Sequence, residues 1–186
     1  MNIVVVITGA SGTVIGLRLI EELKKEANKV TTIISDAGKK VLKEEIGSKI
    51  EFDYEEEDID SPLGSSSNKV DALIICPCSM KTLSAVANGY TNNLITRIAD
   101  IQLKMKRKLI LCIRETPFNL IHIENIKKVT LAGGIIMPLN IAYYFKPKTL
   151  DDINNFFVGK IFDVLGIENK LYKRWKEWVL EVLLIS

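Results

Sequence analysis

Residues 1–23 read MNIVVVITGASGTVIGLRLIEEL. The β-branched run at 3–7 is continuous, as a strand buried on both faces of a sheet requires. It ends in a glycine-rich turn, Thr8-Gly9-Ala10-Ser11-Gly12. Apolar residues then recur at helical spacing, at Val14, Leu17, Leu19, Ile20 and Leu23, which predicts a helix over 12–25. Strand, glycine turn and helix make a βα unit, the opening of many nucleotide-binding sheets.

The same alternation continues along the chain. Strands are predicted at 30–34, 71–75, 109–113 and 134–137. Helices are predicted at 37–46, at 119–131, at 150–165 and, as an amphipathic C-terminal element, at 171–184. The stretch 81–105 reads as mostly helical, with a turn suggested by Gly89-Tyr90-Thr91-Asn92-Asn93-Leu94 and an N-cap at Asn92 or Asn93. This order implies an α/β fold with a parallel sheet and helices on both faces. The 186 residues suit a single domain, 1–186, with the last helix, about 168–186, used in packing or assembly.

Apolar residues make up 47% of the chain and charged residues 26%, as in an ordinary globular protein. A formal net charge of +2 gives no case for a nucleic-acid or membrane surface. The run at 3–7 is too short for a signal-peptide core, so the cytoplasm is the expected location. Cys76, Cys78 and Cys112 form no even framework, and the single histidine, His122, is far along the chain. They read as small buried thiols rather than a disulfide or zinc site.

Ligands of such sheets bind beyond the carboxyl ends of the strands. That points to 9–16, 35–38, 76–82 and 114–117. In the first segment, Gly9 and Gly12 let backbone amides approach an anion, Ser11 adds a hydroxyl, and the helix adds its positive end. The alternative is a tight βα turn with Gly16 at a close helix–strand contact. The glycine spacing does not match a dinucleotide fingerprint. A P-loop is excluded for lack of Gly-Lys-Ser/Thr. Asp36 sits where a ribose ligand would, but Ser35-Asp36 equally fits a helix N-cap. In the third segment, Cys76-Pro77-Cys78-Ser79-Met80-Lys81-Thr82, proline ends the strand and Ser79 and Thr82 offer hydroxyls at a helix start. In the fourth, Arg114-Glu115 follows an apolar strand directly, where charge is costly unless paired or ligand-bound. Arg97, Asp100 and Lys104 share a helical face. The acidic, then Ser/Gly-rich stretch at 51–68 reads as a long surface loop, either a lid or a solvated insertion.

Taken together, these segments resemble the flavin prenyltransferase family. The matching runs are TGASG at 8–12, IS at 34–35, CPCSMKTLSAVANG at 76–89, NNLITRIAD at 92–100, RETPF at 114–118, IHIENI at 121–126, YYFKP at 143–147 and RW at 174–175. The resemblance implies a Rossmann-like, flavodoxin-type three-layer α/β/α fold that assembles as a homo-oligomer, a trimer or dodecamer, with the site between subunits. It implies FMN bound as a reduced substrate and dimethylallyl monophosphate as prenyl donor, with no metal. The product, prenylated FMN, would serve a UbiD-type decarboxylase. Gly9, Ala10, Ser11, Ser35, Ser79, Thr82 and Arg97 fall on FMN-contacting positions. Lys104, Arg114, Tyr144 and Lys160 fall on the set that holds the prenyl phosphate, and Trp175 on an aromatic near the prenyl tail. Glu115 and Glu45, with Ser11, fall on positions close to the chemistry. Lys160 stands where an arginine is usual, and Ile59 stands in place of an aromatic. A flavin-dependent cysteine-type decarboxylase is the rival enzyme, but its histidine after the second strand has no counterpart. A non-catalytic flavin carrier of the same fold is the other alternative.

Overall fold

The computed structural model describes residues 1–26, 28–47 and 50–175. Two compact units divide it, Met1–Leu139 and Asn140–Ser186.

The first unit is built on a six-stranded parallel sheet in the order β3-β2-β1-β4-β5-β6. The strands are β1 (Asn2–Ile7), β2 (Lys29–Ile34), β3 (Tyr54–Glu55), β4 (Ala72–Cys78), β5 (Lys108–Ile113) and β6 (Ile135–Ile136). Without the two-residue edge strand β3, this is the flavodoxin-type order. The helices of this unit are α1 (Thr13–Lys25), α2 (Asp36–Ile46), α3 (Met80–Ala87), α4 (Leu94–Lys104) and α5 (Leu120–Leu131). No described helix is long and apolar enough to cross a membrane.

The run at 3–7 is fully buried, as a central strand covered on both faces must be. On one face, Val4, Val6, Leu73, Ile75, Leu109 and Leu111 pack with α3 and α4 residues such as Leu83, Leu94 and Ile98. On the other, Ile7 and Ile34 pack with Leu17, Ile20 and Leu42 of α1 and α2. The result is three layers, α/β/α.

Two details depart from the sequence pattern. The predicted strand at 71–75 runs on through the proline to Cys78, with a register irregularity between Ile75 and Cys78. A bulge is where an interior strand tolerates a residue with no N–H to donate. The helical stretch at 81–105 is two helices. Asn93 starts the second with a capping box, its Oδ1 accepting the Thr96 amide at 3.0 Å.

The segment at 51–68 is more than a featureless surface loop. It supplies β3 and a short 3-10 turn, Pro62–Gly64, and it is tied down along its length. The Asp53 carboxylate accepts the amide and hydroxyl of Thr32, each at 2.8 Å. Arg97 donates through Nε to the Gly64 carbonyl at 3.1 Å.

In the second unit, α6 (Leu150–Leu165) is capped by Thr149 and ends at Gly166. Phe156 stacks on Phe145 at a centroid distance of 4.8 Å. The predicted C-terminal helix at 171–184 is not formed over 171–175, which make bends and a turn, and residues 176–186 lie outside the described set.

Candidate functional site

The carboxyl ends of β1 and β4 lie side by side at the point where the chain reverses its direction across the sheet, the place where open α/β sheets bind ligands. Thr8, 1% exposed, ties these ends together. Its hydroxyl donates to the Pro77 carbonyl and accepts the Ser79 amide, both at 2.9 Å. Gly16 lets α1 lie against β4, because a Cβ there would strike the Cys76 carbonyl oxygen.

The glycine turn does not leave an open anion cradle. Gly12 takes a left-handed φ of 100° and starts α1 with no side-chain cap of its own. Glu45 supplies the cap instead. Its carboxylate accepts the amides of Gly12 and Thr13, each at 2.8 Å, and the Thr13 hydroxyl at 2.6 Å. Partial burial pushes the Glu45 pKa up. Hydrogen bonds from the Thr13 and Ser11 hydroxyls and the two amides outweigh that and hold the carboxyl below its ordinary range. The N-terminus of α2 is partly closed too: Ser35 accepts the Gly38 amide at 3.0 Å, and Glu56 accepts the Asp36 amide at 2.8 Å.

The N-terminus of α3 is different. Ser79 caps it by accepting the Thr82 amide at 3.3 Å, and the Ser79 and Thr82 hydroxyls meet at 3.1 Å. The Met80 and Lys81 amides have no partner among the described residues, and no carboxylate covers them. Lys81 borders, with Gly9, Ser35, Ser79 and Thr82, a cavity of about 260 Å³. Free amides, two hydroxyls and a lysine at a positive helix end are the donor set for a phosphate monoester.

Four of the seven predicted flavin residues, Gly9, Ser35, Ser79 and Thr82, therefore border one cavity. Ala10, Ser11 and Arg97 do not border it. Ala10 is buried in the turn and Ser11 is exposed beside Glu45, while Arg97 holds Gly64 and lies 3.7 Å from Asp100. Lys104 is exposed at the end of α4. Arg114 and Glu115 are exposed just past β5, so the desolvation argument made for them from sequence does not hold in the single chain. Glu115 accepts the Thr116 amide at 3.0 Å.

In the second unit, Tyr144 and Trp175 meet edge to face at 5.2 Å. Lys160 lies 3.7 Å from Asp163, a carboxylate that also accepts Tyr172 and Arg174. Ile59 is half exposed. His122 completes the capping box at the start of α5, whose N-cap is Asn119, its Nδ1 accepting the Asn119 amide at 3.4 Å.

Sequence reasoning missed Thr8, Glu56 and Lys81. The segment around Lys81 stands out in the sequence, and a cation two residues into a helix that follows a buried strand is the available signal. Thr8 and Glu56 act through contacts across the fold that no local pattern announces.

The model of the Flavoprotein family matches residues 1–162. The chain is 53% identical to the flavin prenyltransferase UbiX of Methanocaldococcus jannaschii over 182 residues, covering 94% of this chain and 98% of that protein. It superposes on the crystal structure of AnUbiX (PadA1) in complex with FMN and dimethylallyl pyrophosphate with a TM-score of 0.91 at 34% identity, over 95% of this chain and 97% of that one. The dodecameric FMN-dependent UbiX-like decarboxylase from Escherichia coli O157:H7 gives a TM-score of 0.88 at 32% identity, over 95% and 100% of the two chains.

Proposed function

The chain belongs to the flavoprotein family, among the flavin prenyltransferases, and from that premise we propose that it joins a dimethylallyl group from dimethylallyl monophosphate to N5 and C6 of reduced FMN. The observation that carries the reading is the open N-terminus of α3. Among the three helix N-termini that follow β1, β2 and β4, it alone offers two free amides with two hydroxyls to an incoming phosphate.

Bound there, reduced FMN supplies the electron-rich ring atoms that attack the allyl carbon. Ser79, Thr82 and the α3 amides hold the flavin phosphate, in a cavity that Ser35 and Gly9 also border. By the family resemblance, Lys104, Arg114, Tyr144 and Lys160 are each assigned to the prenyl phosphate. The charges of Lys104, Arg114 and Lys160 stabilise the pair of electrons that leaves with that phosphate as its C–O bond breaks, and the Tyr144 hydroxyl can donate a hydrogen bond to it. Lys160 meets the phosphate as a point charge rather than a two-pronged arginine fork. Trp175 gives the prenyl tail an aromatic face. Glu115, Glu45 or the released phosphate moves the protons: one leaves N5 as the first bond forms, one is delivered to the prenyl double bond, and the ring proton at C6 is removed once the second bond has formed. No step calls for a metal.

The product is destined for a UbiD-type decarboxylase. FMN and phosphorylated prenyl donors are charged intracellular metabolites, which favours a cytoplasmic location. A homo-oligomer, trimer or dodecamer, is supported by the dodecameric relative and by the exposed Leu120, Ile121 and Ile123 on α5. The segment at 168–186 is assigned to packing or assembly. The test is to mix purified protein with reduced FMN and dimethylallyl monophosphate and to weigh the flavin. An adduct carrying the prenyl group is expected. Tight FMN binding with no adduct would replace the transferase with a flavin carrier.

A further inference from the structure

Glu56 is the one carboxylate among the described residues that borders the flavin cavity, and it is 8% exposed. It lies between β3 and the 3-10 turn. One carboxylate oxygen accepts the Asp36 amide at 2.8 Å, and the other accepts Asn93 Nδ2 at 2.6 Å. Its backbone carbonyl accepts the Leu94 amide at 2.8 Å. Asp36 and Leu94 are the first residues of α2 and α4. A single residue thus joins the first turns of the two helices that bring Ser35 and Thr96 to the cavity.

The chemistry of the cluster is closed. Both helix ends carry partial positive charge, so a buried carboxylate between them is matched by its surroundings. Asn93 has no freedom to turn its amide over, because its Oδ1 accepts the Thr96 amide while its Nδ2 serves Glu56.

We propose that Glu56 is a positioning residue for the flavin: it sets the spacing of the α2 and α4 walls of the cavity and, by closing the Asp36 amide to other anions, leaves α3 as the seat of the phosphate. This rests on the flavin reading of the site.

A double-mutant cycle on the full chain tests it, with FMN affinity read by quenching of flavin fluorescence and the thermal midpoint read alongside. Glu56→Gln sets a donor against Asn93 Nδ2. Asn93→Asp sets a carboxylate against a carboxylate. Each alone weakens FMN binding by about tenfold. The double variant E56Q/N93D re-forms the pair with its polarity reversed: the new amide at position 56 donates, and the new carboxylate at position 93 accepts while still capping Thr96. It restores FMN affinity to within about threefold of the parent. A double variant that binds as weakly as the singles overturns the proposal. So does a cycle in which only the thermal midpoint moves. If either single variant fails to fold, the double variant still decides. A parent protein that binds no FMN overturns the flavin reading itself, which no behaviour of the variants does.

Discussion

Glu45 reaches from the last turn of α2 to cap Thr13 at the start of α1, taking its hydroxyl at 2.6 Å and its amide at 2.8 Å. The same carboxylate accepts the Gly12 amide, so the glycine turn that opens the chain is held by a residue 33 positions away. Gly9 of that turn borders the cavity, and the shape of the turn depends on a charge.

That dependence sets a pH signature. The folded pKa of Glu45 lies below the ordinary value of 4.5, so its contribution to stability is complete above that value and is lost as pH falls through the folded pKa. Glu45→Gln keeps the shape but cannot ionise. It is expected to cost about 1 kcal/mol at neutral pH, the scale of a lost helix cap. In thermal melts over a pH series, the gap between parent and variant stays constant near neutrality and shrinks in acid. A gap that does not change with pH would show that the charge contributes nothing.

Gly16 meets the Cys76 carbonyl, a backbone atom that cannot swing aside as a side chain would. Gly16→Ala is therefore expected to push α1 off β4 and to cost about 1–3 kcal/mol, despite alanine's better helix propensity. Urea unfolding checks this. The midpoint falls with the slope unchanged, whereas a stabilised variant would mean that propensity outweighs the contact.

The first βα unit and the four strand-end segments were legible in the sequence because periodicity and turn chemistry are local. Residues 3–7 could be read as a doubly buried strand from their β-branched run alone. The closure of α1 was not legible. A glycine turn before a helix looks the same whether its amides await a ligand or already hold Glu45. Glu56 was hidden among the neighbouring acids Glu55, Glu57 and Asp58, and only the fold shows that it is the buried one. The break within 81–105 was partly legible, since Asn92 and Asn93 both suit an N-cap. Which one serves is decided by Glu56 gripping the side chain of Asn93.

If α3 seats the flavin phosphate, its hydroxyls should discriminate between FMN and riboflavin. Thr82→Val removes one hydroxyl, while the Thr82 amide remains free to be capped by Ser79. A hydrogen bond to a charged group is worth about 1.5–3 kcal/mol, so FMN affinity is expected to fall by about tenfold or more with riboflavin affinity unchanged. Fluorescence titrations of the two flavins measure this. An equal loss for both would move the phosphate away from α3.

Glu115 stands just past the carboxyl end of β5, next to Arg114, on the ligand side of the sheet. Its one described hydrogen bond is to the neighbouring Thr116 amide, which leaves carboxylate lone pairs available to a substrate. Arg114 is assigned to the departing phosphate, so a base beside it would sit where the proton and the leaving group are both handled. Glu115→Gln preserves the size and the acceptor oxygen but cannot take a proton. Single-turnover formation of the adduct, followed by mass, is expected to slow by about 10²–10⁴-fold with FMN affinity unchanged, the range for loss of a general acid or base. Unchanged turnover would pass the proton to Glu45 or the released phosphate. Glu45 already accepts hydrogen bonds from two amides and has its pKa held low, which weakens it as a base.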